Sequence, residues 1–277
     1  MLPDLRVRLF EAGLATLRSG GWRHSIHSSF WRLYLNSGDG AEVQMSARRH
    51  RLRAGRIYLI PRDVRFETRC QQTLDHLYIH FDVLGWGSLA LIDAFDGLVT
   101  VPDASDLAGR ARRLAGALRA GGALQPAIEM EIHSIVLGSL SRRFCSLPDD
   151  VAGRATRRSH ALGSVLPALR LIEHDSAQPL SNGALAEACH LSDDYFARRF
   201  REAVGKTPRR YLLEQRTRRA AQMLLFSDRT LDQIALDTGF PNRSYLTRVF
   251  THITGQPPAR YRREPRVGAT ANAGRNE

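Results

Sequence analysis

Between residues 181 and 261 the chain carries one motif written twice. Ser181-x-x-x-Leu185-Ala186 recurs 49 positions later as Thr230-x-x-x-Ile234-Ala235, and Leu191 recurs at the same spacing as Phe240. The spacing then becomes 50. Tyr195 matches Tyr245, Phe196 matches Leu246, Arg198 matches Arg248 and Phe200 matches Phe250. Gly205, Pro208 and Tyr211 match Gly255, Pro258 and Tyr261. One residue is therefore inserted in the turn of the second copy. A repeat of this length is a single supersecondary unit used twice, so both copies must fold alike.

Each copy has the mechanics of a helix-turn-helix. Ser181 and Thr230 are N-cap residues, and Thr230-Leu231-Asp232-Gln233 is a capping box. A short helix follows, whose Leu185-Ala186 or Ile234-Ala235 makes the apolar contact; alanine there lets a second helix cross closely. The turn comes next, with Gly239 in the second copy, and Ser192 and Pro241 suit the start of the second helix.

That second helix separates its faces. Tyr245, Leu246, Val249 and Phe250 point inward, leaving Asn242, Arg243, Thr247 and Arg248 outside. In the first copy Phe196 and Phe200 point inward, leaving Asp193, Asp194, Ala197, Arg198 and Arg201. Arginine reads guanine bidentately in the major groove and asparagine pairs with adenine. Between the copies, Thr207 caps a helix from Pro208 to about Phe226 that carries Arg209, Arg210, Arg216, Arg218 and Arg219. Two readers on one face of B-DNA sit about 34 Å apart. A helix of about 18 residues spans about 27 Å, which is the right scale.

The first hundred residues read as strands. Phe30–Asn36 ends at the turn cluster Ser37-Gly38-Asp39-Gly40, with Ala41–Ser46 as its expected hairpin partner. Arg56–Ile60 lies between Gly55 and Pro61. Val64, Phe66 and Thr68 alternate with Arg65, Glu67 and Arg69, and Leu77, Ile79 and Phe81 with Tyr78, His80 and Asp82. Short strands with turns between them suggest a small barrel or jelly roll. From about 104 the period becomes helical. Leu107, Ala111, Leu114 and Leu118 form one stripe, ending at Gly121-Gly122; Ile128, Ile132, Ile135 and Leu140 form another on a helix from Pro126 to about Phe144. The second stripe packs on the barrel, forms a dimer seam, or does both.

The fold class is therefore α+β: an N-terminal small β-barrel with accessory helices, then an all-α domain. The expected divisions are 1–145, a linker at 146–163 containing Pro148 and few large apolar residues, the double helix-turn-helix at 164–263, and a disordered tail at 264–277.

Forty basic residues against 28 acidic give a net charge of +12, which suits a polyanionic partner. Only one of the forty is lysine, Lys206, so part of that excess is compositional. Cys70, Cys145 and Cys189 are scattered and lack metal-ligand spacing, which fits free thiols in a reducing cytoplasm. Arg6, Arg8 and Glu11 interrupt any signal-peptide core, and no run approaches a membrane span. A soluble, cytoplasmic protein is expected, with no membrane partner.

The C-terminal motif resembles the AraC/XylS family of transcription regulators over about residues 164–263. The residues that carry the resemblance are Gly239-Phe240-x-x-x-Ser244-Tyr245-Leu246-x-Arg248-Val249-Phe250, then Gly255, Pro258 and Tyr261-Arg262, with Arg216, Ala220, Met223 and Leu224 of the joining helix. Thr251 and His252 stand where such proteins often have lysines, which weakens the phosphate contacts expected there. Asp193 and Asp194 open the first reading helix, where acids do not favour phosphate. The resemblance implies base contacts by Asp194, Ala197 and Arg198, and by Arg243, Ser244, Thr247 and Arg248; Asn242 joins them from the face analysis above. Promoter DNA and RNA polymerase are the implied partners, with a possible homodimer, and activation is the commoner outcome.

The first half is similar to the cupin-like sensor domains of that family, on Leu52-x-Ala54-Gly55-Arg56-x-Tyr58-Leu59-Ile60-Pro61 and His76-x-Tyr78-x-His80-Phe81-Asp82. The resemblance implies a small-molecule effector, often a sugar, held by some of Trp31, Arg32, Tyr34, His80 and Asp82. Ordinary barrel packing is the competing account of the same residues. No His-x-His pair opens a metal motif, so neither metal nor other cofactor is expected. Two rival classes stand beside the regulator. One is a cupin-type sugar-modifying enzyme with a DNA-binding appendage; the other is an architectural binder driven by charge alone.

Overall fold

The computed structural model describes residues 6–84, 95, 97–120 and 126–263. The chain divides into two compact units. One consists mainly of Val7–Val83 and Ala94–Asp149, the other mainly of Asp150–Glu264.

The N-terminal unit holds β1 (Arg6–Leu17), β2 (His24–Ser28), β3 (Trp31–Asn36), β4 (Ala41–Met45), β5 (Arg48–Leu52), β6 (Ile57–Ile60), β7 (Val64–Cys70), β8 (Leu74–Leu84) and β9 (Val99–Thr100). They form two sheets, ordered β1-β8-β3-β6-β9 and β2-β7-β4-β5. Pairs within each are antiparallel, with Arg32 opposite His80, Tyr34 opposite Tyr78 and Asn36 opposite His76. Among the described residues the sheets are not closed into the expected barrel. Period-two alternation fixes which side chains point inward but says nothing about whether edge strands meet.

The expected hairpin between Phe30–Asn36 and Ala41–Ser46 does not form. β3 pairs with β6 and β8, whereas β4 pairs with β5 and β7 in the other sheet. All six residues of β3 are buried, so it needs a neighbour on each side and cover on both faces. The turn at Ser37–Gly40 instead carries the chain across to the second sheet, through Gly40 at φ +113°. β7 follows the sequence pattern: Phe66 and Thr68 are buried, and Arg65, Glu67 and Arg69 are exposed.

The core between the sheets is built from Trp22, Ile26, Tyr34, Val43, Tyr58, Ile60, Phe66 and Tyr78. On β3 and β8 the alternate residues Trp31, Leu33, Leu35, Ile79 and Phe81 are also buried, on the opposite face of their sheet. Two helices follow in the same unit, α1 (Ser105–Arg119) and α2 (Pro126–Cys145). They pack so closely that a β-carbon on Gly138 would lie 3.1 Å from Leu107. Arg110 bridges them with two bonds to Glu131 at 2.6 and 2.7 Å. The α2 stripe Ile132, Ile135 and Leu140 is buried inside this unit, so those residues are core rather than an open seam. The proposed stop at Gly121-Gly122 lies outside the described residues, as does the tail 264–277.

The C-terminal unit is helical: α3 (Asp149–Gly163), α4 (Leu166–Asp175), α5 (Asn182–Ala188), α6 (Asp193–Val204), α7 (Pro208–Phe226), α8 (Leu231–Asp237), α9 (Arg243–Thr254) and α10 (Pro258–Arg262). Most of the segment read as a linker is thus a helix, and Leu162 at its end enters the core of the first repeat. Small residues such as Ala152, Ala155 and Ala161 are good helix formers, which the scarcity of large apolar residues concealed.

Candidate nucleic-acid interface

The two copies are α5–α6 and α8–α9, and they agree down to single hydrogen bonds. Ser181 Oγ accepts from the Ala184 amide at 3.1 Å, and Thr230 Oγ1 accepts from the Gln233 amide at 3.2 Å. The Gln233 side chain returns a bond from the Thr230 amide at 2.9 Å, completing the capping box. In each turn an amide reaches back to an alanine carbonyl: Leu191 to Ala186 at 3.0 Å, and Phe240 to Ala235 at 2.8 Å. Gly205 and Gly255 end the second helices in the left-handed region, at φ 78° and 80°.

The cores repeat too. Phe196 and Phe200 are buried in one copy, Leu246 and Phe250 in the other. The Phe200 ring meets Tyr211 edge-on at 5.8 Å, and the Phe250 ring meets Tyr261 at 5.2 Å. α7 serves both copies: its first turn supplies Tyr211 to the first, and it also packs against α8 and α9 of the second. Edge-to-face aromatic pairs of this kind add about 0.5–1.5 kcal/mol beyond area burial.

With these faces buried, the opposite faces of α6 and α9 are left outside. Asp194, Arg198, Arg243, Ser244 and Arg248 are exposed, and Ala197 and Thr247 are half-buried between them. Arg243, Ser244, Thr247, Arg248, Thr251 and His252 line one open depression on α9. The second helix of each copy lays an arginine over an aromatic ring. The Arg198 guanidinium sits 5.1 Å from the Tyr195 centroid, and the Arg248 guanidinium 5.0 Å from that of Tyr245. The sequence holds this signal, a tyrosine three positions before an arginine in both copies, which puts the two on one helical face. Tyr245, expected to point inward, is half-buried and also supports the outer face.

Asn242 has a structural role beside the base contact expected of it. It is the N-cap of α9, and its Oδ1 accepts from the Tyr245 amide at 2.8 Å. Bidentate pairing with adenine needs that oxygen. Asn242 rather than Pro241 therefore opens the helix. Arg216 is also not a free surface cation: it donates to the carbonyls of Ser176 at 2.6 Å and Gln178 at 2.8 Å, and its partial burial lowers its pKa.

The candidate effector residues fall into three environments. Arg32, Tyr34 and His80 lie on the intersheet side of their sheet and are buried. Trp31 lies on the other side, stacked on Phe81 and edge-on to Phe95 at 4.9 Å. Asp82 is held in a buried ion pair with Arg62 at 2.9 Å, and the same oxygen accepts from the Val83 amide. Among the described residues, no group of three or more His, Cys, Asp and Glu is placed to hold a metal, and no helix is long and apolar enough to cross a membrane.

Residues 185–264 match the family model described as a helix-turn-helix domain. Over 78 residues the chain is 38% identical to YobQ, an HTH-type transcriptional regulator of Bacillus subtilis, covering 28% of this chain and 32% of YobQ. It is 34% identical over 101 residues to an AraC-like transcription regulator of Streptomyces lividans, covering 36% of this chain and 33% of that one. The matched stretch thus spans about a third of the length of each of these relatives. In fold, the chain is similar to ToxT from Vibrio cholerae, with a TM-score of 0.53 over 92% of this chain and 98% of ToxT at 12% identity. The likeness extends the common fold to the β-rich N-terminal half. The C-terminal stretch 185–264 is therefore a helix-turn-helix domain, similar in sequence to that of an AraC-like transcription regulator.

Proposed function

We propose that this chain is a sequence-specific DNA-binding transcription regulator. The observation that carries the reading is the doubling of the reader: two matching helix-turn-helix copies, each leaving an arginine over a tyrosine on the outer face of its second helix. An exposed charged helix is most often just solvated. Two copies that preserve the same arginine over the same tyrosine ask for a repeated target, and the net charge of +12 favours a polyanion.

In this reading Asp194, Ala197 and Arg198 on α6, and Arg243, Ser244, Thr247 and Arg248 on α9, face base edges in two successive major grooves. Arg248 and Arg198 are the strongest readers, because a guanidinium held by its own tyrosine is ordered before it meets guanine. Asp194 accepts from a cytosine amino group. The target is promoter DNA, the outcome activation through RNA polymerase, and the N-terminal unit senses a small polar effector, with homodimerisation as a further expectation. A separate unit of 140 or so residues ahead of the reader fits a sensor better than it fits an architectural charge-driven binder.

The test is a gel shift on an operator selected from genomic fragments. Arg248→Ala is expected to abolish specific binding while circular dichroism stays unchanged. Unaltered operator affinity removes the assignment. Affinity lost equally for operator and random DNA returns the architectural reading.

A further inference from the structure

The space between the two sheets is not apolar throughout. Arg32 is 5% exposed, and its Nε and Nη1 have no hydrogen-bond partner among the described residues. Its guanidinium carbon lies 4.3 Å from the Phe30 ring centroid and 5.5 Å from that of Phe66. Tyr34 Oη, His76 Nε2, His80 Nε2 and Trp22 Nε1 are likewise buried and unpartnered. The groups are contiguous. Arg32 pairs across the strands with His80, the Tyr34 and His76 rings are 4.4 Å apart, and Trp22 is 5.0 Å from His76.

Native interiors leave few polar atoms unsatisfied, and a buried cation without a counter-charge is among the costliest. Several such atoms in one cluster call for a partner that arrives from outside the chain. The hydrogen-bonding roles specify that partner. Arg32 and Trp22 can only donate. His76 Nδ1 lies 2.6 Å from Asn36 Oδ1, an acceptor, so the ring proton sits on Nδ1 and Nε2 is left to accept. The Glu11 carboxylate lies 3.3 Å from His80 Nδ1 without forming a hydrogen bond, so the neutral His80 ring keeps one nitrogen to donate and one to accept. Burial holds both rings neutral, with pKa values lowered to about 3 for His76 and about 4 for His80. The phenol of Tyr34 can serve in either role.

We propose that this cluster binds a hydroxylated carboxylate of the sugar-acid class, with the carboxylate on Arg32 and hydroxyls meeting His80, His76 and the Trp22 indole. The proposal rests on the sensor reading of this unit and names its ligand. A neutral sugar leaves the Arg32 charge uncompensated. A plain aliphatic acid leaves both imidazole acceptors empty. Trp31 and Asp82 take no part, one lying on the other face of the sheet and the other neutralised by Arg62.

The experiment is calorimetry and thermal unfolding of the full chain with gluconate, galacturonate, tartrate and lactate, with glucose and galactose, and with octanoate. At least one hydroxy acid is expected to bind and raise the melting temperature. Arg32→Met is expected to weaken that binding by about 100-fold or more, as loss of one partner of a buried charge pair does. The melting temperature of unliganded Arg32→Met should not fall, because the charge it removes is unpaired. Tyr34→Phe, a smaller change, should weaken binding less. Binding of glucose or galactose unchanged in Arg32→Met overturns the ligand class and leaves small-molecule sensing standing. Equal binding of octanoate overturns the part assigned to the histidines. No binding by any of the four hydroxy acids overturns the proposal altogether, and operator binding measured on the same preparation shows whether the DNA reading survives it.

Discussion

A β-carbon placed on Gly239 would lie 2.6 Å from the carbonyl oxygen of Ala177. The turn of the second helix-turn-helix copy therefore rests directly on the backbone between α4 and α5 of the first. Arg216 grips the same stretch from α7, through the carbonyls on either side of Ala177. Three sequence-distant elements meet on three residues, and the meeting joins the two helix-turn-helix copies within the C-terminal unit.

Gly239 is constrained twice. Its φ of +77° is one that side-chain-bearing residues adopt at a cost of about 1–2 kcal/mol. Its neighbour is backbone, which cannot swing away as a side chain would. Gly239→Ala is expected to destabilise the helical unit by about 2–4 kcal/mol, read as a lowered urea midpoint by far-UV circular dichroism. His190, the matching residue of the first copy, already carries a side chain at φ +55°. His190→Gly should be neutral or slightly stabilising.

Arg216→Met keeps the length of the side chain and removes both bonds. A loss of about 1–3 kcal/mol in stability is expected from the stranded carbonyls. Operator affinity should fall at least as far as affinity for random DNA, since no reader is touched but their spacing loosens. Arg216→Lys should rescue only in part, because one ammonium group cannot reproduce the guanidinium fork. Equal operator affinity in all three proteins would show that this joint does not set the register.

Asn242 is expected to act as a cap. Asn242→Ala should cost about 1 kcal/mol of stability. Asn242→Ser, which restores a capping oxygen, should recover both stability and operator affinity. Stability recovered without affinity would make Asn242 a base reader as well.

The helical half was legible because a repeat is read against itself. Ser181 and Thr230, as caps, and Phe200 and Phe250, as inward residues, each predicted the other's role, and all four take it. Arg216 was not legible, since its partners are main-chain carbonyls about forty positions away and a carbonyl has no sequence signature. The strand half was legible strand by strand but not in its pairing. Ser37-Gly38-Asp39-Gly40 announced a reversal, yet whether the next strand pairs or crosses depends on how both faces of β3 are covered. Trp31 and Arg32 were grouped as neighbours in sequence, and a strand sends neighbours to opposite faces. His76 and Trp22 joined the buried cluster only through contacts between sheets and strands that lie far apart in sequence.

The buried histidines predict an acid-labile N-terminal unit. Burial lowers the His76 pKa from 6.5 to about 3, helped by the nearby His80 and Arg32, and lowers that of His80 from 6.5 to about 4 against the opposing pull of Glu11. Below pH 6.5 the unfolded chain takes up protons on both rings while the folded chain does not. Their contribution is therefore intact above about pH 6.5 and is lost as the pH falls toward 4, at up to about 1.4 kcal/mol per pH unit for each ring. Urea midpoints at about pH 7.5, 6 and 5 should fall for the native chain and fall less steeply for His76→Gln with His80→Gln. Parallel slopes would place the acid sensitivity elsewhere.

The central claim is that both copies read one duplex. Hydroxyl-radical footprinting of the full chain on its selected operator tests it directly, with Arg198→Ala and Arg248→Ala beside the native protein. Two protected segments on one face of the DNA are expected, centred about ten base pairs apart, with each substitution erasing a different one. A single protected segment, or two that both survive either substitution, would contradict the account.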